Sequence, residues 1–179
     1  MDLIKQVPEE EMKERARQAA KNYFKNGPNC AESVYLALVD VGLIDFAPES
    51  VALATPFGGG MGLYGGTCGA LVAAIMGVGA VHGRRRPTEG TMQEIIDGLY
   101  GNPGRYRFIN QIPHRFAEKF GAVDCETLNK DYPEWFDKNR FRNCMNMVVE
   151  AAAMAVEFIY QGDREGYVQP FGRNMAKKE

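Results

Sequence analysis

The feature that most constrains this chain is a glycine-rich run at residues 57–66. The run reads Phe-Gly-Gly-Gly-Met-Gly-Leu-Tyr-Gly-Gly, so six of its ten residues are glycine. Glycine loses more backbone entropy on folding than any other residue, and this density of glycine rules out a stable helix or an interior strand. The sequence therefore predicts a loop here, whose shape is imposed by the elements around it.

A helix of small residues follows the run. Thr67 is a suitable N-cap, and residues 68–81 are almost entirely small or apolar, which predicts a helix. Within it Gly69, Ala73 and Gly77 recur at four-residue intervals, so one helix face carries almost no side chains. Another helix can approach such a face closely, and we expect this helix to be central and buried.

Helical periodicity accounts for most of the remaining chain. Apolar residues recur at three- and four-residue steps, and no segment alternates as a half-buried strand does. Pro113 predicts a kink within one of these helices, because proline lacks the N–H that a helix interior needs. The predicted helices cover residues 8–27, 29–41, 48–54, 68–81, 105–120 and 140–160, with a short turn near Cys125. The expected fold class is all-α, a compact helical bundle of about five to six helices with a buried small-residue helix and a glycine-rich loop.

The domain organisation follows from these helices and from the chain length. A chain of 179 residues suits one domain with an appended segment. Residues 1–160 are predicted to form this single helical domain, with an insertion or flap at 82–104, where proline and glycine interrupt a polar stretch and only a brief helix at 92–99 fits. The polar residues 161–179 are predicted to be an extended C-terminal tail.

Composition and charge exclude several classes of protein. The apolar fraction of 45% excludes a mainly disordered chain. Because 21 Lys and Arg are outnumbered by 23 Asp and Glu, we expect no nucleic-acid partner. The longest uncharged apolar run, residues 69–81, is shorter than the roughly 18 residues that a membrane span needs. Residues 1–8 lack the basic-then-apolar pattern of an export signal. We therefore expect a soluble, cytoplasmic protein with no membrane contact.

The four cysteines are the candidate functional residues. Cys30, Cys68, Cys125 and Cys144 are separated by 38, 57 and 19 positions, which matches neither a CxxC pair nor a zinc-finger spacing, and buried inert thiols would explain the spacing alone. Each cysteine, however, lies at or near a predicted helix start, where free backbone N–H groups and the helix dipole favour thiolate over thiol. Four thiolates that converge from helix starts would form a site for a soft metal or an Fe–S cluster.

Several segments together resemble the C_GCAxxG_C_C family of redox-active proteins, named for its cysteine signature. The matching segments are Asn29-Cys30-Ala31, the run from Phe57 to Gly62, Gly66-Thr67-Cys68-Gly69-Ala70, the segment from Phe116 to Cys125, and Asn143-Cys144. The resemblance covers residues 21–159, although Ala73 replaces the last glycine of the motif. It implies a helical redox protein whose four cysteines hold an Fe–S cluster.

Three functions remain open at the level of the sequence. The first is electron transfer by a [2Fe–2S] or [4Fe–4S] cluster on Cys30, Cys68, Cys125 and Cys144, and the backbone that supports it is predicted at Gly59, Gly60, Gly66, Thr67 and Gly69. The second is metal-free thiol–disulfide chemistry on the same cysteines, and the third is an interaction module stabilised by zinc. A redox protein is the expected partner, and a homodimer is favoured because small redox modules often pair. The sequence identifies no catalytic residue.

Overall fold

The computed structural model describes residues 6–178, and it confirms the all-α fold class. No strand occurs in this part of the chain, where the β pairing is a single antiparallel bridge between Thr67 and Asp124. The helices are α1 (Glu9–Lys25), α2 (Cys30–Asp40), α3 (Gly69–His82), α4 (Met92–Tyr100), α5 (Arg105–Ile109), α6 (Gln111–Phe120), α7 (Cys125–Leu128) and α8 (Lys138–Glu165), with 3-10 turns at Pro48–Leu53 and Thr55–Phe57 and one further turn at Gly58–Met61.

Local sequence signals explain where the long helices begin. Glu9, Glu10 and Glu11 occupy the first turn of α1, where negative charge favours the positive end of the helix dipole. The Asn29 side chain accepts from the N–H groups of Ala31 and Glu32, which completes a capping box at the start of α2. The Asp137 side chain accepts from the N–H groups of Asn139 and Arg140 and so caps the start of α8. Local sequence thus fixes the first residue of each of these helices.

Helices α1, α2, α3 and α8 form the core of the bundle. The long helix α8 packs against the other three, and its buried face is rich in alanine and other small residues. The core residues Val34 and Leu38 of α2, Val78 of α3 and Phe158 of α8 are all 0–1% exposed. Dense packing of small and branched side chains holds the helices close together, as the sequence predicts for α3.

The glycine face of α3 lies directly against α2. A Cβ atom added at Gly77 would lie 2.2 Å from Cδ1 of Leu38, and one added at Gly69 would lie 2.7 Å from Sγ of Cys30. Cys30 and Leu38 are eight residues apart, as are Gly69 and Gly77. The two helices therefore run in the same direction and in register, with no room for larger side chains on this face.

Two predicted helix boundaries were wrong. The helix predicted over 105–120 divides at Asn110 into α5 and α6, so Pro113 does not kink a helix interior; it lies in the first turn of α6, where an N–H needs no intrahelical partner. The last helix does not end at Tyr160 but continues to Glu165, because its polar last turn lies on the surface, where Arg164 contacts Glu9.

The predicted insertion and the C-terminal tail are the two peripheral segments, and both lie beside α5. The predicted insertion contains α4, which has no buried residue and adjoins α5. The C-terminal tail is non-helical from Gly166 and lies along α5 and α6, where Gln111 Nε2 donates to the carbonyl of Pro170 over 2.7 Å. Residues 1–5 and 179 lie outside the described residues, and with them most of the segment on which the expectation of no export signal rests.

Candidate functional site

All four cysteines line one cavity at the end of the bundle where α2 and α3 begin. The cavity measures about 870 Å³ and includes Cys30, Cys68, Cys125 and Cys144 among its lining residues. None of the four forms a disulfide. Residues separated by up to 114 positions in the chain are thus brought to one place, which confirms the predicted convergence. Their role as metal ligands stays a prediction.

Three of the four cysteines lie at helix starts, as predicted. Cys30 is the first residue of α2, Cys68 immediately precedes α3, and Cys125 is the first residue of the short α7. Cys144 differs: it lies six residues after Lys138, the first residue of α8, and therefore well inside that helix. The helix-start argument does not apply to Cys144, because the N-terminal N–H groups of α8 point away from its second turn.

Backbone pairing joins the segments that carry Cys68 and Cys125. The N–H of Cys68 donates to the carbonyl of Val123 over 2.8 Å, and the N–H of Cys125 donates to the carbonyl of Gly66 over 2.7 Å. The antiparallel bridge between Thr67 and Asp124 lies between these two bonds. This pairing explains why the chain brings Gly66 and Thr67 to the site: their backbone, rather than their side chains, holds α7 beside α3.

The glycine-rich loop is a left-handed turn that packs beneath the cysteines. Every residue from 59 to 63 has a positive φ, including Met61 at 68° and Leu63 at 71°. A Cβ atom at Gly60 would lie 2.5 Å from the carbonyl oxygen of Gly66 and 2.8 Å from Cβ of Cys125. Glycine is therefore required at position 60, both because φ is positive there and because a Cβ atom has no room. This explains why the predicted loop contains glycine.

Backbone N–H groups surround two of the thiols. Gly59 in the loop and Ala31 at the start of α2 donate toward the Cys30 sulfur. Ala70 and Leu71, in the first turn of α3, donate toward the Cys68 sulfur. Such donors stabilise negative charge on sulfur, so this part of the helix-start argument is correct.

The thiols are nevertheless not thiolates in the metal-free protein, contrary to the expectation from the sequence. Burial raises the pKa of Cys68 to about 12 and that of Cys144 to about 11. Burial is also the largest cause of the raised pKa of Cys30 and of Cys125. Desolvation of the charged form outweighs the helix dipole at all four positions, because each sulfur lies in a largely apolar environment beside other thiols.

A buried asparagine connects two of the cysteines. Asn129 is 7% exposed, and its Nδ2 lies 2.9 Å from the Cys125 carbonyl and 3.6 Å from the Cys125 sulfur. The thiol of Cys144 donates to Oδ1 of the same side chain over 3.4 Å, and Asn143 Nδ2 contacts that oxygen as well. Asn129 therefore fixes the spacing between Cys125 and Cys144 with one planar amide.

A buried arginine supplies the positive charge of the site. Arg140 is 8% exposed, and its guanidinium carbon lies 3.5 Å from the centre of the Trp135 ring, on which it stacks. No carboxylate among residues 6–178 lies within ion-pair distance of this guanidinium. Its charge acts instead to lower the pKa of Cys30, Cys125 and Cys144, against the stronger effect of burial. A buried cation facing thiols favours negative charge at this place.

The cysteines are not arranged around a single point. Within residues 6–178, no group of three or more His, Cys, Asp and Glu side chains could hold one metal ion. Four thiolates on one tetrahedral zinc ion would lie about 3.8 Å from one another, since each Zn–S bond is about 2.3 Å. The arrangement of the four thiols among the described residues therefore matches no single bound metal ion, and their role as ligands stays a prediction.

Sequence analysis missed three residues of this site, Asn129, Trp135 and Arg140. Asn129 follows Cys125 by four positions, a spacing at which an amide can reach back to a helix-start cysteine, and this signal was available. Arg140 and Trp135 carry no local signal, because their contacts with the cysteines depend on how α8 packs against α2. The predicted residues Gly59, Gly60, Gly66, Thr67 and Gly69 all lie within the loop and helix start beside the thiols.

Comparison with family models identifies the chain. The model described as "Putative redox-active protein (C_GCAxxG_C_C)" matches residues 28–158. The chain belongs to the C_GCAxxG_C_C family. The match begins just before Cys30 and ends within α8, so it includes all four cysteines and confirms the resemblance found in the sequence. Membership in the C_GCAxxG_C_C family indicates a redox-active protein.

Two other comparisons, with curated proteins and with solved structures, gave no match. No helix within residues 6–178 combines the length and the apolar character needed to cross a bilayer.

Proposed function

We propose that this protein is an electron-transfer protein that binds an Fe–S cluster through Cys30, Cys68, Cys125 and Cys144. The observation that carries the proposal is one cavity lined by all four cysteines and by a buried arginine that has no carboxylate partner within residues 6–178. When bound, a cluster accepts and donates single electrons. The chain's own residues hold the sulfurs, supply positive charge and limit the access of water.

The charge balance of the cavity supports a cationic multinuclear group. Four thiolates carry four negative charges, and the raised pKa values indicate that the cavity does not tolerate them alone. Iron ions can replace the four thiol protons, as metals do at cysteine sites generally. The Arg140 guanidinium then balances part of the negative charge that remains.

The backbone and Asn129 are suited to adjusting the reduction potential. The N–H groups of Gly59, Ala31, Ala70 and Leu71 point toward the sulfurs of Cys30 and Cys68, and Asn129 Nδ2 donates to the sulfur of Cys125. Hydrogen bonds to sulfur ligands stabilise the more negative, reduced state and so raise the potential. We expect the partner to be a redox protein, and the expectations of a homodimer and of a cytoplasmic location are retained as proposals.

The two alternative functions have less support. A thiol–disulfide oxidoreductase needs accessible cysteines of low pKa, whereas burial raises the pKa of all four thiols here. A zinc-stabilised module would use the same four cysteines but does not account for the glycine-rich loop beside them.

Anaerobic purification followed by absorption spectroscopy and by iron, sulfide and zinc analysis tests the proposal. We expect visible absorption that bleaches with dithionite, with iron and sulfide in stoichiometric amounts. A colourless protein that takes up neither iron nor sulfide in an anaerobic reconstitution overturns the proposal. Zinc alone would then favour the interaction module, and defined disulfide pairs after mild oxidation would favour thiol chemistry.

A charge variant tests the role assigned to Arg140. Arg140→Met removes a buried cation that stabilises the reduced cluster, so the reduction potential should fall by about 60 mV, equivalent to a tenfold change in a one-electron equilibrium. Arg142→Met is the matched control, because Arg142 lines the same cavity but is exposed to solvent, which screens its charge. Equal shifts in the two variants, or no shift in either, would contradict this role.

A further inference from the structure

We propose that the cavity beside the cysteines is also a binding site for a small planar aromatic anion. The site extends beyond the thiols, is lined by aromatic rings and, among residues 6–178, carries more positive than negative side chains. The binding itself does not depend on an Fe–S cluster, whereas any part that the ligand plays in redox chemistry rests on the proposed function.

The size of the cavity is the first observation. Its volume of about 870 Å³ lies within the range of roughly 300–1,000 Å³ that small-molecule sites occupy. At roughly 30 Å³ for each water molecule, this space corresponds to about 29 waters. The larger of the two candidate clusters has only eight iron and sulfide atoms. The cavity therefore holds more than a cluster alone would fill.

The walls of the cavity favour a flat, aromatic ligand. Phe24 and Phe141 stack on each other with ring centres 4.8 Å apart and an angle of 17° between their planes. Trp135 forms a third wall, 44% exposed, and Phe136 lies at the rim with 94% of its surface exposed. Aromatic rings pack on planar ligands by offset stacking or edge-to-face contact. An exposed phenylalanine at the mouth of a cavity also gives a ligand apolar surface to cover.

The charges around the cavity favour an anion. The ionised side chains of its lining are Lys25, Lys138, Arg140, Arg142 and Asp137, which gives four positive charges against one negative charge and a net charge of +3. The whole chain has a net charge of −2, so positive charge is concentrated here. The Asp137 carboxylate is already engaged with the N–H groups of Asn139 and Arg140 at the start of α8. No ion pair within residues 6–178 involves Lys25, Lys138 or Arg142.

These features divide the site into two functions. The basic side chains Lys25, Lys138 and Arg142 lie at the exposed rim, where they attract an acidic group from solution. The aromatic rings line the same cavity as these basic side chains and the cysteines. A ligand with one acidic group on a two- or three-ring aromatic body matches both parts, and its rings would lie beside the thiols.

A pair of fluorescent probes tests the proposal on the full-length, reduced, metal-free protein. The probes are anilinonaphthalene sulfonate and its uncharged analogue phenylnaphthylamine, which share the aromatic body and differ in the acidic group. We expect the sulfonate to saturate at one molecule per chain and to bind about ten-fold more tightly than the uncharged probe. Near-ultraviolet circular dichroism confirms that each variant is folded, because the sulfonate also binds partly unfolded states.

Matched variants locate the binding. Replacing Lys25 and Arg142 together by glutamine should weaken sulfonate binding about three- to ten-fold and leave the uncharged probe unaffected. Replacing Arg85 and Arg86 together by glutamine is the control, because it removes the same charge from exposed residues that do not line the cavity. Phe136→Ala should weaken binding of both probes, and because the Phe136 side chain is exposed, the substitution removes no core packing.

The outcomes separate this proposal from the proposed function. Equal binding of the two probes, equal losses in the two double variants, or binding unaffected by Phe136→Ala would each overturn the ligand site. A protein that takes up no iron and sulfide but shows the expected probe binding loses the cluster and keeps the ligand site. A protein that binds the cluster and shows no preference for the anionic probe keeps the cluster alone.

Discussion

The two ends of helix α3 differ in how their buried polar groups are paired. At its C-terminal end His82 is 8% exposed, and both ring nitrogens have partners: Nε2 donates to the Ile159 carbonyl over 2.8 Å, and Nδ1 lies 3.1 Å from the Tyr167 hydroxyl. Arg105 Nε donates to the His82 carbonyl over 2.9 Å, and Phe108 packs edge-on against the imidazole. Both ring nitrogens and the carbonyl of His82 thus have partners within the chain.

At the N-terminal end of α3 the chain leaves its chemistry incomplete. The Cys68 thiol is buried with three other cysteines around an open cavity, and the nearby guanidinium of Arg140 has no carboxylate partner within residues 6–178. The adjoining loop is held in a left-handed conformation that L-residues rarely adopt. The contrast is what the proposed function rests on: one end of the bundle pairs its buried polar groups, and the other is the end where we propose that a cluster binds.

The largest effect, a loss of the proposed cluster, should follow from removing a sulfur at the N-terminal end of α3. Cys68→Ser replaces a thiolate ligand by a hydroxyl, a poor ligand for iron, so iron, sulfide and visible absorption should be lost after anaerobic reconstitution. Met145→Leu is the control, since it removes another sulfur that lines the cavity without removing a predicted ligand. A Cys68→Ser protein with the unchanged spectrum would remove Cys68 from the ligand set.

The next effect concerns the loop beneath the cysteines. Gly60→Ala places a methyl group 2.5 Å from the Gly66 carbonyl oxygen at a φ of 69°, so the free energy of unfolding should fall by about 3 kcal/mol or more. Gly62→Ala has nearly the same φ, 60°, but meets no atom within 4 Å, and it should cost only about 1 kcal/mol. Denaturant titration measures both, and equal losses would show that crowding around Gly60 is unimportant.

A smaller effect on stability is expected at the C-terminal end of α3. Tyr167→Phe removes the hydroxyl partner of His82 and leaves one buried ring nitrogen without a hydrogen bond, so the free energy of unfolding should fall by about 1–2 kcal/mol. Iron and sulfide uptake should not change, because the substitution lies at the far end of α3. Tyr64→Phe, at a tyrosine that is 84% exposed, serves as the control. Loss of iron uptake in Tyr167→Phe would show that the two ends are coupled.

The smallest effect concerns the side of the bundle, away from both ends. Glu150 of α8 pairs with Arg17 of α1 over 3.2 Å and with Lys119 of α6 over 2.7 Å. Burial acts to raise the pKa of Glu150, but the hydrogen bond from Lys119 and the charge of Arg17 together lower it below 4.5. A lowered pKa means that the pairing stabilises the fold above about pH 4.5 and is lost as the pH falls through the folded-state pKa.

Substitution of this carboxylate gives the corresponding measurement. Glu150→Gln should lower the free energy of unfolding at pH 7 by about 0.5–1 kcal/mol, and the difference from the unmodified protein should disappear in acid. Glu118→Gln is the control, because Glu118 is 75% exposed and lies 3.9 Å from Arg115. A difference that persists unchanged at low pH would show that the carboxylate's charge is not its cause.

The sequence predicted the features of this protein that depend on neighbours along the chain. The helix that starts near Asn29, the small-residue face of α3 and the glycine-rich loop all follow from residue types at fixed spacing. The convergence of the cysteines was also predicted, because helix starts and the resemblance to a family pointed to it. The position of Cys144 within its helix was wrong, and so was the expectation that helix starts make the thiols thiolates.

The remaining features of the site depend on how distant segments pack. Burial decides the protonation of the thiols, and no local pattern reports how deeply Cys68 lies in the bundle. The burial of Arg140 and the contacts of Asn129 with two cysteines arise only once α8 packs beside α2 and α7. The break at Asn110 is a similar case, because tertiary contacts of Phe108 and Ile112 decide where that helix divides.

The register between α2 and α3 has a consequence for which changes in chain length the protein tolerates. Gly69 faces Cys30 and Gly77 faces Leu38, so one added residue between positions 31 and 37 would rotate everything beyond it by about 100° and would separate one of these matched pairs. The same addition in the exposed connection at residues 45–49 would change neither pair, since a surface loop absorbs extra length at small entropic cost. The packing of α2 against α3 thus sets the distance between the thiols of Cys30 and Cys68, independently of the 38 positions that separate them in the chain.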